Sequence, residues 1–163
     1  MVTNIDKKYI WQKLEEVSDP EVPVLSVVAL GVVRDVQLDD DKITVTITPT
    51  YSGCPAMNVM EFNIRKVLSN LGKKVDVITV LSPAWTTDWM TEDGKQKLRE
   101  YGIAPPEEEI DKNVLFGRKT VVPCPKCGSK DTKLVSQFGS TACKAHYQCN
   151  DCLEPFDYFK CHR

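Results

Sequence analysis

The chain has no apolar run near the ~18 residues a membrane-crossing helix needs, so a bilayer span is excluded. It has no internal repeat and no low-complexity tract. The opening Met1-Val2-Thr3-Asn4-Ile5-Asp6 lacks the basic and apolar stretches of a secretion signal, which predicts a cytoplasmic protein with reduced thiols. Histidine is scarce, with only His146 and His162, both near the C-terminal end. An enzyme built on a Cys-His pair, which needs a histidine base beside its thiol, therefore has little to draw on.

What is present is cysteine, and it is unevenly placed. Six of the seven cysteines fall within residues 124–163, and four form two Cys-x-x-Cys pairs, Cys124 with Cys127 and Cys149 with Cys152. Such loops let two thiolates each converge on one ion, and two loops close a four-thiolate tetrahedral site. The 21 residues between the pairs (149 − 127 − 1) fit a zinc ribbon, and Pro123, Pro125, Gly128, Asn150 and Asp151 supply turn chemistry around both loops. The competing arrangement is two disulfides, which a reduced compartment disfavours. Cys143, Cys161 and His162 are further ligand-type residues in the same module. They can complete a second site, replace a ribbon ligand, or pack as small buried groups.

At 163 residues and 42% hydrophobic, the chain can hold one ordinary core plus a small metal-stapled module. Residues 1–117 carry 13 Lys/Arg against 19 Asp/Glu, for −6, whereas residues 118–163 carry 8 against 4, for +4, giving the total of −2. The basic end suits an acidic partner. Four thiolates and one zinc ion together add −2 there, so the field for nucleic acid is weak.

The periodicity predicts a helix over Asp6–Val17, then an ordered loop through Val22–Gly31 broken by Pro23. Strands at Val32–Leu38 and Ile43–Thr48 are joined by a hairpin at 39–42. A helix from about Ala56 to Leu71 carries the stripe Met57, Met60, Ile64, Val67, Leu68 and Leu71, with Gly72 at its end. A third strand covers Val75–Val80, and a short helix lies near Glu92–Tyr101. This is an α/β (α+β) fold, a small α-β-β-α-β domain with helices on a three-stranded sheet, followed by the zinc ribbon. The expected domains are 1–106 and 121–163, joined by a linker at 107–120. Trp85, Trp89 and Met90 form a cluster that suits either a protein interface or a cover for the sheet edge. The aromatics Phe138, Tyr147, Phe156, Tyr158 and Phe159 are expected to build the ribbon core.

Cys54 stands at a strand-to-helix junction, after Gly53 and before Pro55. Gly53 gives room for close backbone approach, and Pro55 suits the first helical position. The helix N-terminus should lower the thiol pKa, suiting a metal or sulfide ligand or a nucleophile, although a small buried residue explains the position too. Asp19 and Glu21 are its best polar partners, or else a solvated helix C-terminus.

Asp19-Pro20-Glu21-Val22-Pro23, Leu30-Gly31-Val32-Val33, Thr48-Pro49-Thr50 and Gly53-Cys54-Pro55 resemble the SufT-type iron–sulfur assembly domain over about residues 5–90. The stretches Leu81–Met90, Gly102–Pro106, Phe138–Lys144 and Glu154–Cys161 are similar to the phenylacetate-degradation family PaaD, also called PaaJ. The resemblance implies a non-catalytic accessory to the multicomponent monooxygenase that epoxidises the ring of phenylacetyl-CoA. Such an accessory matures or inserts a di-iron centre or an iron–sulfur cluster, with the monooxygenase subunits or their iron–sulfur reductase as partners. It makes Cys54 the functional thiol, lined by Asp19 and Glu21, handling iron or a cluster transiently, and it matches Cys143 and Cys161 to the family's tail. The alternatives are a structural or electron-transfer subunit of the monooxygenase and, more remotely, a nucleic-acid-binding zinc ribbon. A homodimer is compatible with so small a sheet, though no residue speaks for it.

Overall fold

The computed structural model describes residues 5–106 and 121–160. They form two compact units, whose described parts are 5–85 with 89–91, and 86–88 with 92–106 and 121–160.

In the first unit, helix α1 (Lys7–Leu14) starts where the Asp6 carboxylate accepts the Tyr9 N–H at 2.7 Å. It ends earlier than the sequence pattern suggests. The Glu16 and Val17 N–H groups reach the Lys13 and Leu14 carbonyls, so the last turn tightens to i→i−3 bonding. Strands β1 (Val33–Leu38) and β2 (Lys42–Ile47) make the expected antiparallel hairpin. Helix α2 (Ala56–Ser69) then carries the chain to β3 (Lys74–Thr79), parallel to β2, giving the order β1-β2-β3.

The alternating apolar residues Ile43, Val45 and Ile47 have no exposed surface, nor do Ile10, Leu14, Ile64 and Leu68 from the helices. Each such side chain contributes roughly 1.5–3 kcal/mol by leaving water. Val67 and Leu71, the outer part of the α2 stripe, are only half-buried and line an open groove of about 570 Å³ beside Tyr9 and Lys13 of α1.

The segment after β3 folds back on the loop before β1. Trp85 and Met90 are buried, and the Trp85 Nε1–H donates to the Leu30 carbonyl at 2.9 Å. The Arg34 guanidinium lies 3.5 Å from the Trp89 ring centroid. Gly31, at φ +77°, lets Trp89 sit this close, because an added Cβ would stand 2.4 Å from the Trp89 carbonyl oxygen. Trp85 and Met90 are thus interior residues, with Trp85 held to the loop before β1, and not an exposed interface.

In the second unit, helix α3 (Glu92–Tyr101) falls where expected, and a two-residue strand β4 (Ile103–Ala104) follows. Strands β5 (Thr132–Ser136), β6 (Lys144–Cys149) and β7 (Pro155–Phe159) complete a sheet of order β4-β7-β6-β5. β4 pairs in parallel with β7, so residues upstream of 106 belong to the ribbon sheet. The linker expected at 107–120 lies outside the described residues. Tyr147 stacks on Phe156 at 5.8 Å and meets Tyr158 edge-on at 6.1 Å, and Phe159 is fully buried. Phe138 departs from the expected core: it is 56% exposed, with the Lys160 ammonium 4.4 Å from its ring centroid.

Candidate functional site

The two knuckles of the ribbon are built alike. In the first, the Cys124 N–H donates to Ser129 O at 2.9 Å and the Gly128 N–H to Cys124 O at 2.8 Å, with Gly128 at φ +76°. In the second, the Cys149 N–H donates to Glu154 O at 3.0 Å, and the residue equivalent to Gly128 is Leu153 at φ +62°. A leucine carries the left-handed conformation that glycine adopts freely, so this turn is strained. The ligand atoms of Cys124, Cys127, Cys149 and Cys152 all lie within 4.8 Å of one another.

The closest approaches run across the knuckles, Cys124 to Cys152 at 3.7 Å and Cys127 to Cys149 at 3.6 Å. A tetrahedron with metal–sulfur distances of about 2.3 Å has edges of about 3.8 Å, so the four sulfurs fit one tetrahedral ion. The four sulfurs compete for negative charge, and their pKa shifts are opposed. The Cys152 and Asp151 N–H groups hold Cys149 at about 7 against partial desolvation. At Cys127 the Ser129 N–H favours the thiolate, yet desolvation and the sulfurs of Cys149, Cys152 and Cys124 together push the thiol up to about 12. Four thiolates this close need a cation between them.

Cys54 lies between β2 and α2. Pro55 already has helical angles, and the Cys54 carbonyl accepts the Met57 N–H at 3.3 Å. Gly53 sits in open space, so its φ of +80°, not close approach of another backbone, accounts for glycine there. The thiol is 7% exposed. Burial pushes its pKa up. The Ala56 N–H and the Tyr51 hydroxyl favour the thiolate, whereas Glu21 and Asp19 act through space in the same direction as burial. The expected lowering therefore does not occur: the helix N-terminus contributes as anticipated, but desolvation and the two carboxylates outweigh it.

Asp19 is buried, and its Oδ1 accepts the N–H groups of Glu21 at 2.6 Å and Val22 at 3.3 Å. It folds the acidic loop back on itself instead of standing solvated at a helix end. Two residues gain interest only from the fold. Tyr51 bonds the Cys54 sulfur, and Thr48, 1% exposed just after β2, has a hydroxyl with no hydrogen-bond partner among the described residues. Cys143 is buried 3.0 Å from the Thr141 hydroxyl and lies outside the sulfur quartet. Cys161 and His162 lie outside the described residues.

A family model described as PaaD zinc beta ribbon domain matches residues 108–160, and one described as iron-sulfur cluster assembly protein matches 7–80. The chain is 49% identical to a putative subunit of the 1,2-phenylacetyl-CoA epoxidase of Escherichia coli K12, over 93% of this chain and 91% of that one. The chain belongs to the PaaD family. Beyond PaaD, it is 40% identical to the Fe-S protein maturation auxiliary factor YitW of Bacillus subtilis, over 52% of this chain and 85% of YitW. Among solved structures, a domain of unknown function (DUF59) from Bacillus anthracis matches at TM-score 0.54 and 31% identity, covering 56% of this chain and 90% of that one. A conserved hypothetical protein of Thermotoga maritima matches at TM-score 0.52 and 28% identity, covering 60% and 98%. This PaaD-family chain has, among its described residues, no helix long and apolar enough to cross a membrane.

Proposed function

We propose that this chain is a non-catalytic maturation factor for a metal cofactor of a phenylacetyl-CoA epoxidase, with Cys54 receiving and passing on iron or an iron–sulfur cluster. The observation that carries the reading is a buried thiol with a raised pKa at the α2 N-terminus, with Glu21 and Asp19 acting on it. The same carboxylates that hold the proton on the sulfur attract a cation. When the cargo arrives, the Cys54 S–H bond breaks, the sulfur keeps the electron pair and donates it to iron, and the proton leaves to a carboxylate or to water. Because a raised pKa lets the proton compete with iron, the bond formed is reversible, as a transfer site requires. The Tyr51 hydroxyl and the Ala56 N–H then stabilise the charge on sulfur.

The ribbon has a different part. Cys124, Cys127, Cys149 and Cys152 fit a structural zinc ion, which fixes both knuckles by charge compensation. The handling site lies within residues 1–106, and the ribbon at 121–163 docks the client. The word subunit in the name of the Escherichia coli relative favours one second reading, a permanent member of the epoxidase. Maturation of purified epoxidase subunits by wild type and Cys54→Ala tests the first reading. Epoxidase activity should appear with substoichiometric wild type and fall at least tenfold with Cys54→Ala. Equal activity with both would overturn the transfer role, and a strict one-to-one requirement would favour the permanent subunit.

A further inference from the structure

We infer that Lys126, Ser129, Asp151 and Glu154 form a clasp across the two knuckles, which holds the two solvent-facing cysteines together and keeps the ribbon's metal resident. The inference rests on the structural-zinc part of the proposed function and names the positioning residues that retain the ion.

The four cysteines are not equally enclosed. Cys124 and Cys149 are buried, in the same apolar cluster as Val122, Tyr147 and Phe156, whereas Cys127 and Cys152 are exposed. Each knuckle therefore gives one sulfur to the core and one to the surface. The short sulfur contacts, Cys124 to Cys152 and Cys127 to Cys149, each join an inner cysteine of one knuckle to the outer cysteine of the other. Parting the knuckles would open both. Packing holds the inner pair, while a competing chelator meets Cys127 and Cys152 first.

Polar side chains span the knuckles beside that outer pair. Lys126, next to Cys127, donates to the carboxylate of Glu154, two residues past Cys152, at 2.7 Å. The Ser129 hydroxyl, two residues past Cys127, donates to the carboxylate of Asp151, next to Cys152, and accepts the Asp131 N–H at 3.0 Å. Asn150 adds a double tie to Asp131, its N–H to the carbonyl at 2.9 Å and its amide to the carboxylate at 2.7 Å.

The Lys126 and Glu154 side chains are 62% and 45% exposed, and a pair so open to water adds little to the stability of a fold. Its place beside the sulfurs gives it a different use. Four thiolates around one divalent ion carry −2, and the Lys126 ammonium is attracted to Cys152 and Cys124. Lys126 thus offsets part of that charge while it tethers the second knuckle through Glu154.

Transfer of zinc from the full zinc-loaded chain to the chromophoric chelator 4-(2-pyridylazo)resorcinol measures retention directly. The double variant Lys126→Gln, Ser129→Ala should release zinc about tenfold faster than wild type, the combined effect of one exposed ion pair and one hydrogen bond. Asp151→Ala with Glu154→Gln cuts the same two ties from the second knuckle and should match it, whereas Lys126→Arg, which keeps the charge and the pairing, should stay near wild type. Added salt should speed release from wild type but not from the double variants, because it screens an exposed pair. Loaded with cobalt(II) instead, all these proteins should give the same four-thiolate tetrahedral spectrum. Equal release by wild type and both double variants would overturn the clasp and leave the zinc site standing. A cobalt spectrum altered in both double variants would make these side chains builders of the site, and overturn the clasp too. Less than one zinc bound by wild type would remove the structural-zinc reading itself, and this inference with it.

Discussion

Cys54 holds its proton because burial, Glu21 and Asp19 outweigh the Ala56 N–H and the Tyr51 hydroxyl. Glu21→Gln removes one of the raising charges without touching the sulfur's own hydrogen bonds. Alkylation of Cys54 by iodoacetamide at pH 7.5, followed by mass spectrometry, should therefore run about threefold faster in that variant, since the thiolate is the reactive form. Linkage gives the pH dependence its sign. The folded thiol keeps its proton above the ordinary value of 9.0, so its contribution to stability is complete below that pH and lost as pH rises beyond it. Leu153 makes an independent residue-level case. Its φ of +62° is costly for leucine, and its side chain is 68% exposed, so Leu153→Gly should stabilise the metal-loaded ribbon by about 1 kcal/mol in a denaturant titration. Spacing made the cysteine quartet legible in sequence, because ligand geometry is local. The direction of the Cys54 shift was not, because a junction motif reveals the helix N-terminus but not how much protein covers the sulfur. Leu153 carries no sequence signal at all, since the turn residues Asn150 and Asp151 precede it and leucine is rare in a left-handed turn.

At the scale of elements, the hairpin β1–β2, helix α2 and strand β3 were readable from periodicity because each has a full run of alternating or helical apolar positions. β4 was not, since two residues have no period, and its pairing with β7 places α3 and β4 on the ribbon side of the chain. The tryptophan segment was recognisable as unusual but ambiguous in role, and burial resolves it for Trp85 and Met90. Gly31 is its weak point. Gly31→Ala forces a Cβ against the Trp89 backbone and a left-handed angle on alanine, so it should destabilise by more than about 3 kcal/mol, read from the tryptophan fluorescence transition.

For the whole molecule, the proposed function divides labour between a first unit that would handle cargo and a ribbon that depends on metal. The three tryptophans, Trp11, Trp85 and Trp89, belong to the first unit, while Tyr147 and Tyr158 report on the second. Stripping the metal with a chelator should collapse the tyrosine near-ultraviolet dichroism and leave the tryptophan emission unchanged, because a small ribbon has little apart from its ion to hold it. Loss of both signals together would mean that the units do not fold separately.

Metal and acid-labile sulfide content is the most direct measurement of the transfer role, made after anaerobic exposure to ferrous iron and sulfide on wild type and Cys54→Ala. The expected result is about one zinc per chain in both proteins, as four thiolates close one site, and iron retained by wild type alone. Equal iron in both proteins, or none in either, would contradict a cargo site at Cys54.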